Sequence, residues 1–316
     1  MSAAEAAEGS SERVFSGREI ISRDPKTGVE IGRVPIAVAD DVRRAVERAR
    51  AARSAWAARS IAERARVLLH ARRIALDRLD EIAQLIARES GKPLPEAIAM
   101  DLVPSLDLLR YFAHHAERLL RDEPISIGHY ALLGRKSHIA YRPLGTIGII
   151  SPWNFPWSIP VGQVATALVA GNAVILKPSE LTPLTGLAIG RLFAQAGLPE
   201  GVLQIVTGDG TTGAALVASG VDKIIFTGSV ETGRRVAETA ARHLTPVVLE
   251  LGGKDAMIVL ADADLDKAAG RRRVGRFRQR RTSLRFGGAV LRSRKHRRRV
   301  LATRRRRDSK AESRCR

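Results

Sequence analysis

The chain has 316 residues, 45% hydrophobic and 4% aromatic, with 53 Lys and Arg against 33 Asp and Glu. That length admits one large α/β domain or two smaller ones with ample core, and the scarcity of aromatic residues argues against an aromatic-rich β-sandwich. The single cysteine, Cys315, excludes a disulfide framework or a zinc-finger cluster. No apolar run reaches the roughly 18–20 residues that cross a bilayer, and the polar N-terminus has no basic segment followed by an apolar one, so a soluble cytoplasmic protein without a membrane partner is expected.

The formal charge of +20 is unevenly spread. Residues 271–316 hold 21 Lys and Arg and only two acids, Asp308 and Glu312, a local excess of +19 that leaves +1 for residues 1–270. An electrically ordinary body is joined near Gly270 to a segment of another kind.

In chain order, residues 1–12 read as a disordered N-terminus. Asp24-Pro-Lys-Thr-Gly28 is a turn signal between β-like runs at Val14–Ile21 and Val29–Val34. From Asp40 to about Arg118 the pattern is helical: Asp40 or Asp41 is a candidate N-cap, with Val42, Ala45, Val46 and Ala49 at helical spacing. Helices are predicted over Ile61–Leu76 and Leu79–Ser90, the latter closed by Gly91-Lys-Pro93. After about Tyr141, strands alternate with amphipathic helices. The strands fall at Thr146–Ile150, Ala173–Leu176, Val202–Val206, Lys223–Phe226 and Val247–Leu251; the helices fall near 160–170, 184–196, 212–219 and 232–243. That alternation implies a parallel sheet covered on both faces, with ligands beyond the carboxyl ends of its strands.

Four segments sit at such strand ends. In Ser151-Pro-Trp-Asn-Phe-Pro-Trp157, Asn154 is either a fixed amide donor for a developing oxyanion or the cap of a rigid turn. Lys177-Pro-Ser-Glu180 offers a cation and a carboxylate for ribose hydroxyls or a phosphate, or else a solvated ion pair at a helix start. Phe226-Thr-Gly-Ser-Val-Glu-Thr-Gly233 places glycines and a helix N-terminus where a pyrophosphate would be favoured, although the spacing is that of neither the dinucleotide fingerprint nor a triphosphate loop. Glu250, at the end of an apolar strand, is either a general base with a raised pKa or a capping or ion-paired acid, with Lys254 as one candidate partner. The seven histidines show no metal-ligand spacing, and the adjacent His114 and His115 splay apart on a helix.

Taken in order, Pro152-Trp-Asn-Phe-Pro156, Lys177-Pro-Ser-Glu180, Phe226-Thr-Gly-Ser229 with Gly233, and Leu249-Glu-Leu-Gly-Gly-Lys254 resemble the NAD(P)-dependent aldehyde dehydrogenase superfamily. Asp262-Ala-Asp-Leu-Asp266 is similar to that family's next segment, and the resemblance covers roughly residues 12–269. It implies an α/β fold with a Rossmann-like parallel-sheet cofactor domain over 13–250, including an N-terminal helical region. Residues 251–270 would begin a catalytic domain that is otherwise largely missing, and 271–316 would be a disordered Arg-rich tail. By the same resemblance, Asn154 would stabilise the oxyanion and Glu250 would be the general base. Lys177 and Glu180 would hold the adenosine ribose, favouring NAD over NADP because a carboxylate repels a 2′-phosphate. Ser229, Gly228 and Gly233 would face the pyrophosphate, and Ile149, Trp153, Gly208 and Leu251 would line the cleft. The family's reaction oxidises a small aldehyde: a cysteine thiolate attacks, hydride passes to the nicotinamide and water releases the carboxylate.

The departure concerns that cysteine. The family's nucleophile follows the general base by a little over roughly thirty residues, in a segment resembling Gly-Asn-Ala-Gly-Gln-x-Cys, which points here to Leu284. A frame change accounts for both the missing thiol and the basic tail. Arg276–Val290 has permitted codons that, read one nucleotide later, give Gly-Ser-Gly-Asn-Ala-Gly-Gln-Ala-Cys-Val-Ser-Val-Glu-Arg, with the cysteine codon spanning Leu284 and Arg285. The expectation is a catalytically dead aldehyde dehydrogenase chain, its family homo-oligomer lost, that at most binds NAD. The alternative is a dinucleotide-binding body whose tail grips nucleic acid. Phe277 and Phe286 are that tail's only aromatics, so base stacking is poorly provided.

Overall fold

In the computed structural model the described residues are 15–16, 19–253, 257–260, 262–264, 266–268 and 290–292. The expected disordered N-terminus lies outside them, as do Lys254 and nearly all of the basic tail. The chain divides into two compact units, after Leu251.

The first unit opens with a three-stranded antiparallel sheet, β1 (Phe15–Ser16), β2 (Glu19–Arg23) and β3 (Glu30–Pro35). The turn between β2 and β3 is the one read from Asp24–Gly28: Gly28 N–H donates to the Asp24 carbonyl at 2.7 Å, with Gly28 at φ 75°. Helices follow at Ala39–Ala57, Ile61–Asp77, Leu79–Ser90 and Val103–Leu120, the last entered through a short helix at Leu94–Ala97 and a π-turn at Ile98–Leu102. The first helix begins one residue before Asp40. Val38 is its N-cap, and Asp41 serves from inside the first turn by accepting the Val38 N–H at 3.0 Å. His114 and His115 each bond the carbonyl four residues back, those of Arg110 and Tyr111. A hairpin of β4 (Glu123–Ile125) and β5 (Ser137–Ile139), which the sequence pattern does not announce, precedes the main sheet.

The main sheet is parallel throughout, in the order β10-β9-β6-β7-β8. Its strands are β6 (Thr146–Ile150), β7 (Ala173–Lys177), β8 (Leu203–Ile205), β9 (Lys223–Gly228) and β10 (Val247–Leu251). Helices Ser158–Val169, Pro183–Gln195, Gly210–Ala218 and Val230–Ala241 connect them within two residues of the predicted bounds. Side-chain alternation divides the core. Ile147, Ile149, Val174 and Leu176 pack with Trp157, Val161 and Phe193 on one face. Ala173, Ile175, Ile224 and Phe226 pack with Val42, Val46, Leu216 and Val236 on the other. Each such fully buried aliphatic or aromatic side chain contributes about 1.5–3 kcal/mol. At the edge, β10 leaves Val248, Glu250 and Leu251 exposed.

Two buried charges tie helices together through the main chain. Arg64 donates from Nε to the Val169 carbonyl at 2.9 Å and from Nη1 to those of Ala57 and Arg59, closing the ends of helices Ser158–Val169 and Ala39–Ala57. Glu89 lies at the other pole of such a device. It accepts the N–H groups of Leu184 and Thr185 at 2.8 and 2.7 Å, the Thr185 hydroxyl at 2.6 Å and the Ser22 hydroxyl at 2.9 Å. The carboxylate thus caps helix Pro183–Gln195 and fastens it to β2. Burial pushes the Glu89 carboxyl above the ordinary value, and those four donors pull against it.

In the second unit, β11 (Met257–Val259) pairs in parallel with β12 (Val290–Arg292). Asp264 accepts the N–H groups of Asp266 and Lys267 at 3.1 and 3.0 Å, which stabilise its charge and hold its pKa below the ordinary carboxylate value. Residues 290–292 were expected to be disordered with the rest of the tail; instead they form a strand, at an Ala-Val-Leu break in the arginine-rich run.

Replacing Glu89 by Gln puts an amide NH2 against N–H and O–H donors. Glu89→Gln is therefore expected to cost about 1–3 kcal/mol, read as a lowered midpoint in thermal or urea unfolding.

Candidate functional site

The strand order places β6 between β7 and β9, so the connections leaving β6 and β9 diverge to opposite faces and a crevice opens at their carboxyl ends. A cavity of about 610 Å³ occupies this crevice, within the range that holds small ligands and cofactors. Ile150 to Trp153 from the end of β6, Lys177 and Glu180 from the end of β7, and Thr227 to Ser229 from the end of β9 contribute to its walls.

Lys177 is the most constrained of these. Its side chain is 5% exposed, and Nζ reaches Glu180 Oε2 at 3.5 Å, at the limit of a hydrogen bond. Burial pulls the ammonium below the ordinary lysine value, opposed by Glu180 and more weakly by Asp209. A buried cation with donors to spare and a wall of the cavity beside it is suited to hydroxyl or phosphoryl oxygens. Ser179 Oγ meanwhile accepts the Leu181 N–H at 3.2 Å and shapes the turn that carries Glu180.

Across the cavity, Ser229 is the N-cap of helix Val230–Ala241, accepting the Thr232 N–H at 3.1 Å. The helix start, with Gly228 and Ser229 in the wall, presents backbone N–H groups and the positive end of the helix dipole to an anion. Asp209, Thr232 and Arg235 also line the cavity; Thr232 lies within the glycine-bearing segment read from the sequence, but none of the three was named there for a cofactor. Asp209 was signalled there by Gly-Asp-Gly before a helical run; it caps helix Gly210–Ala218 through the N–H groups of Thr211 and Thr212. Despite partial desolvation, the Thr211 hydroxyl, which donates to Asp209 Oδ1 at 2.6 Å, those N–H groups and the nearby Lys177 hold its carboxyl below the ordinary value.

Of the nine positions expected to meet a cofactor, the structure brings Trp153, Lys177, Glu180, Gly228 and Ser229 together in the cavity wall. Ile149 points to the other face of β6, fully buried among helices, and its neighbour Ile150 takes the wall position. Gly208 packs against Thr212, where a Cβ would lie 1.9 Å from Oγ1. Gly233 similarly lies under Leu251, whose Cδ2 would stand 2.5 Å from a Cβ there. These two glycines and Leu251 set how closely the elements around the cavity approach.

Asn154 is half-buried in the loop after β6. Its Oδ1 accepts the Phe155 N–H at 3.1 Å, leaving the Nδ2 donor without a protein partner among the described residues. Glu250 pairs in register with Thr227. Its side chain is exposed, so the apolar enclosure expected around it is absent. Among the described residues no group of His, Cys, Asp and Glu is arranged to hold a metal ion, and no helix is long and apolar enough to cross a membrane.

A parallel open sheet with an anion-favouring crevice at its switch point defines a nucleotide-binding class of α/β protein. The sequence model of the aldehyde dehydrogenase family matches residues 14–280, running past Gly270 into the basic segment. The chain belongs to the aldehyde dehydrogenase family. It is 42% identical over 258 residues to a 4,4'-diapolycopene aldehyde oxidase of Methylomonas sp, a match covering 82% of this chain and 49% of that protein. Among solved structures it resembles an aldehyde dehydrogenase from Brucella melitensis biovar abortus 2308, with TM-score 0.85 and 34% identity, covering 91% of this chain and 59% of that one. It is equally similar to an NAD+ complex of an aldehyde dehydrogenase from Bacillus cereus, with TM-score 0.85 and 33% identity, covering 91% and 58%. The chain thus spans about half the length of the curated relative it matches.

Because Lys177 is depressed in the folded state, the unfolded chain binds the proton more tightly, and stability rises with pH between the depressed value and the ordinary 10.5. Below that window the full cost of the buried charge is present. Lys177→Met is expected to be about 1 kcal/mol more stable at pH 7 and to lose part of the alkaline rise, as measured by urea unfolding from pH 7 to 10.

Proposed function

We propose that this chain is the cofactor-binding portion of an NAD-dependent aldehyde dehydrogenase and that, as its sequence stands, it binds NAD without oxidising aldehyde. The observation that carries this reading is the under-coordinated Lys177 ammonium facing the Ser229-capped helix across one cavity. Lys177 and Glu180 take the adenosine ribose hydroxyls, the first donating and the second accepting. The Glu180 carboxylate disfavours a 2′-phosphate, which selects NAD over NADP. Gly228, Ser229 and the helix start take the pyrophosphate, while Trp153 and Ile150 supply apolar wall. Bound NAD supplies the hydride acceptor. The family match and the similarity to a diapolycopene aldehyde oxidase support an aldehyde as the parent enzyme's substrate. Asn154 Nδ2 is the donor for the oxygen of that aldehyde, and Glu250 is the base for water.

Neither has a thiolate to serve. The chain's one cysteine is Cys315, and Leu284 stands where the family's nucleophile is expected. We further propose that residues from about 271 onward are translated out of the parental frame. The coding DNA tests this directly: codons over Arg276–Val290 incompatible with Gly-Asn-Ala-Gly-Gln-x-Cys one nucleotide later overturn it.

Two outcomes follow for the purified protein. NAD is expected to bind in calorimetric titration with no reduction of the nicotinamide when aldehydes are added, and Lys177→Met to weaken binding roughly 10- to 100-fold, the worth of a hydrogen bond to a charged group. Steady NADH formation from an aldehyde would sink the reading. The basic segment is expected to retain the protein on DNA at low salt and to release it steeply as salt rises. Deleting residues 271–316 removes that retention; unchanged retention after the deletion would assign it to the body instead.

A further inference from the structure

Beneath the loop that carries Asn154 lies an ion pair without solvent access. Lys92, in the turn after helix Leu79–Ser90, and Asp101, in the π-turn Ile98–Leu102, are both 0% exposed, and Lys92 Nζ donates to Asp101 Oδ2. The pair's remaining hydrogen bonds all go to one segment. Lys92 Nζ donates to the Asn154 main-chain carbonyl at 2.9 Å and sits 5.0 Å from the centre of the Phe155 ring. Asp101 Oδ1 accepts the N–H groups of Trp157 and Ser158 at 3.2 and 3.1 Å, at the start of helix Ser158–Val169. Trp157 Nε1 in turn donates to Ser105 Oγ at 3.1 Å, one turn beyond Asp101. Residues 154, 155, 157 and 158 are thus gripped from below by two charges.

Stability alone is a poor account of this arrangement. Desolvating a lysine and an aspartate costs several kcal/mol per ion, and apolar replacements of such pairs are often as stable or more so. What the charges provide and apolar side chains do not is direction. The ammonium fixes the Asn154 carbonyl and the carboxylate fixes the N–H groups three and four residues later, so the loop cannot rotate about either end. On this anchored backbone, the Asn154 Oδ1 bond to the Phe155 N–H leaves Nδ2 as the free end. A π-turn is also a local irregularity often kept where function requires it, and here it is the element that bears Asp101.

We infer that Lys92 and Asp101 are positioning residues that hold the Asn154 side-chain amide in a fixed orientation before any ligand arrives. That this amide meets an oxyanion rests on the proposed function; that it is held rests on the contacts above. An amide preorganised towards developing charge spends no reorganisation energy when the charge forms. Through the Asn154 backbone the pair controls aim, and it touches neither cofactor nor substrate itself.

The sequence contains two asparagines, Asn154 and Asn172, so the full chain labelled with 15N-asparagine shows two side-chain amide groups. Asn172 is an internal reference: it is buried, its Oδ1 accepts the Gly145 N–H at 2.9 Å and its Nδ2 donates to the Ala167 carbonyl at 3.1 Å. In the unaltered protein without ligand, the Asn154 amide is expected to be nearly as ordered as that of Asn172, with an order parameter near about 0.85; a value below about 0.6 overturns the inference without any variant. The neutral variant Lys92→Met with Asp101→Asn keeps an acceptor for Trp157 and Ser158 and removes the tether to the Asn154 carbonyl. In it the Asn154 signals are expected to shift and lose order while those of Asn172 stay in place. Unmoved Asn154 signals beside unmoved Asn172 signals assign the pair a purely structural role and overturn the inference. Should that variant not fold, the order measured in the unaltered chain decides. None of these readings needs NAD, aldehyde or a thiol, so failure of the proposed function leaves them standing.

Discussion

The pairing of β6 on both sides is the constraint from which the rest of the first unit follows. Residues 147–150 are in register with β7 on one edge and with β9 on the other, so the strand must be buried on both faces as well. Thr146-Ile-Gly-Ile-Ile150 meets that demand in two ways. Its isoleucines fill both cores, and Gly148 has no Cβ where one would stand 2.7 Å from Ile224. With β6 fixed, the chain must leave towards β7 by one face and return to β9 by the other. The crevice between those departures exists whatever occupies it, and the loop ends that line it are far apart in sequence but adjacent in space.

Buried charge then distinguishes scaffold from site. Arg64 and Glu89 each spend their bonds on the scaffold: the guanidinium on carbonyls at helix ends through Nε and Nη1, the carboxylate on N–H and hydroxyl groups at a helix start. Such groups close the accounting left open by helix termini and ask nothing of a ligand. The bonds of the Lys92–Asp101 pair likewise stay within the protein, and they converge on the loop that carries Asn154 and on the helix start that follows it. Lys177 alone of these charges lies deep beside a cavity with a single marginal partner. The protein bears the cost of desolvating it, and only an acceptor entering the cavity would repay that cost. This asymmetry, not the volume of the cavity, makes the crevice a site.

Much of this architecture was legible from pattern. Alternation of apolar runs with helical periods gave the parallel sheet, since each strand had to be apolar on two faces and each crossover needed one amphipathic helix. Helix starts were read less well: Asp40 and Asp41 have the right chemistry for a cap, yet Asp41 acts from the third turn position because the chain enters the helix earlier, at Val38. The hairpin of β4 and β5 lacked a signal because its strands are three residues long, too short for a period of two to register. Lys177, Glu180 and Ser229, singled out for their chemistry near strand ends, come together in one cavity wall. The wall position at Ile149 was displaced to Ile150 because a one-residue shift in a strand changes face. Glu250 was read as enclosed from its apolar neighbours, but an edge strand gives such neighbours no cover. Lys92 and Asp101 carried no local signal, as charges nine positions apart appear solvated until the fold closes over them.

The location of these residues bears on what a chain of this length can do. Every side chain that walls the cavity comes from residues 150–239, and the anchors of the Asn154 loop come from 92–105. On the proposed reading, cofactor recognition and the aim of the Asn154 amide are therefore encoded upstream of Glu250, independently of the segment in which a nucleophile would stand. Binding energy at the ribose and pyrophosphate accelerates nothing by itself, because uniform binding lowers no barrier. It becomes catalysis only when a reacting group is held within a few ångströms of the bound carbon, and the only thiol in the sequence, Cys315, lies 65 positions after Glu250 in an arginine-rich segment. A frame change between the two parts would thus separate two properties that the intact enzyme couples. The nucleotide site would keep its geometry, because none of its walls is drawn from the altered segment, while the amide and the carboxylate would remain aimed at an atom that no thiolate attacks.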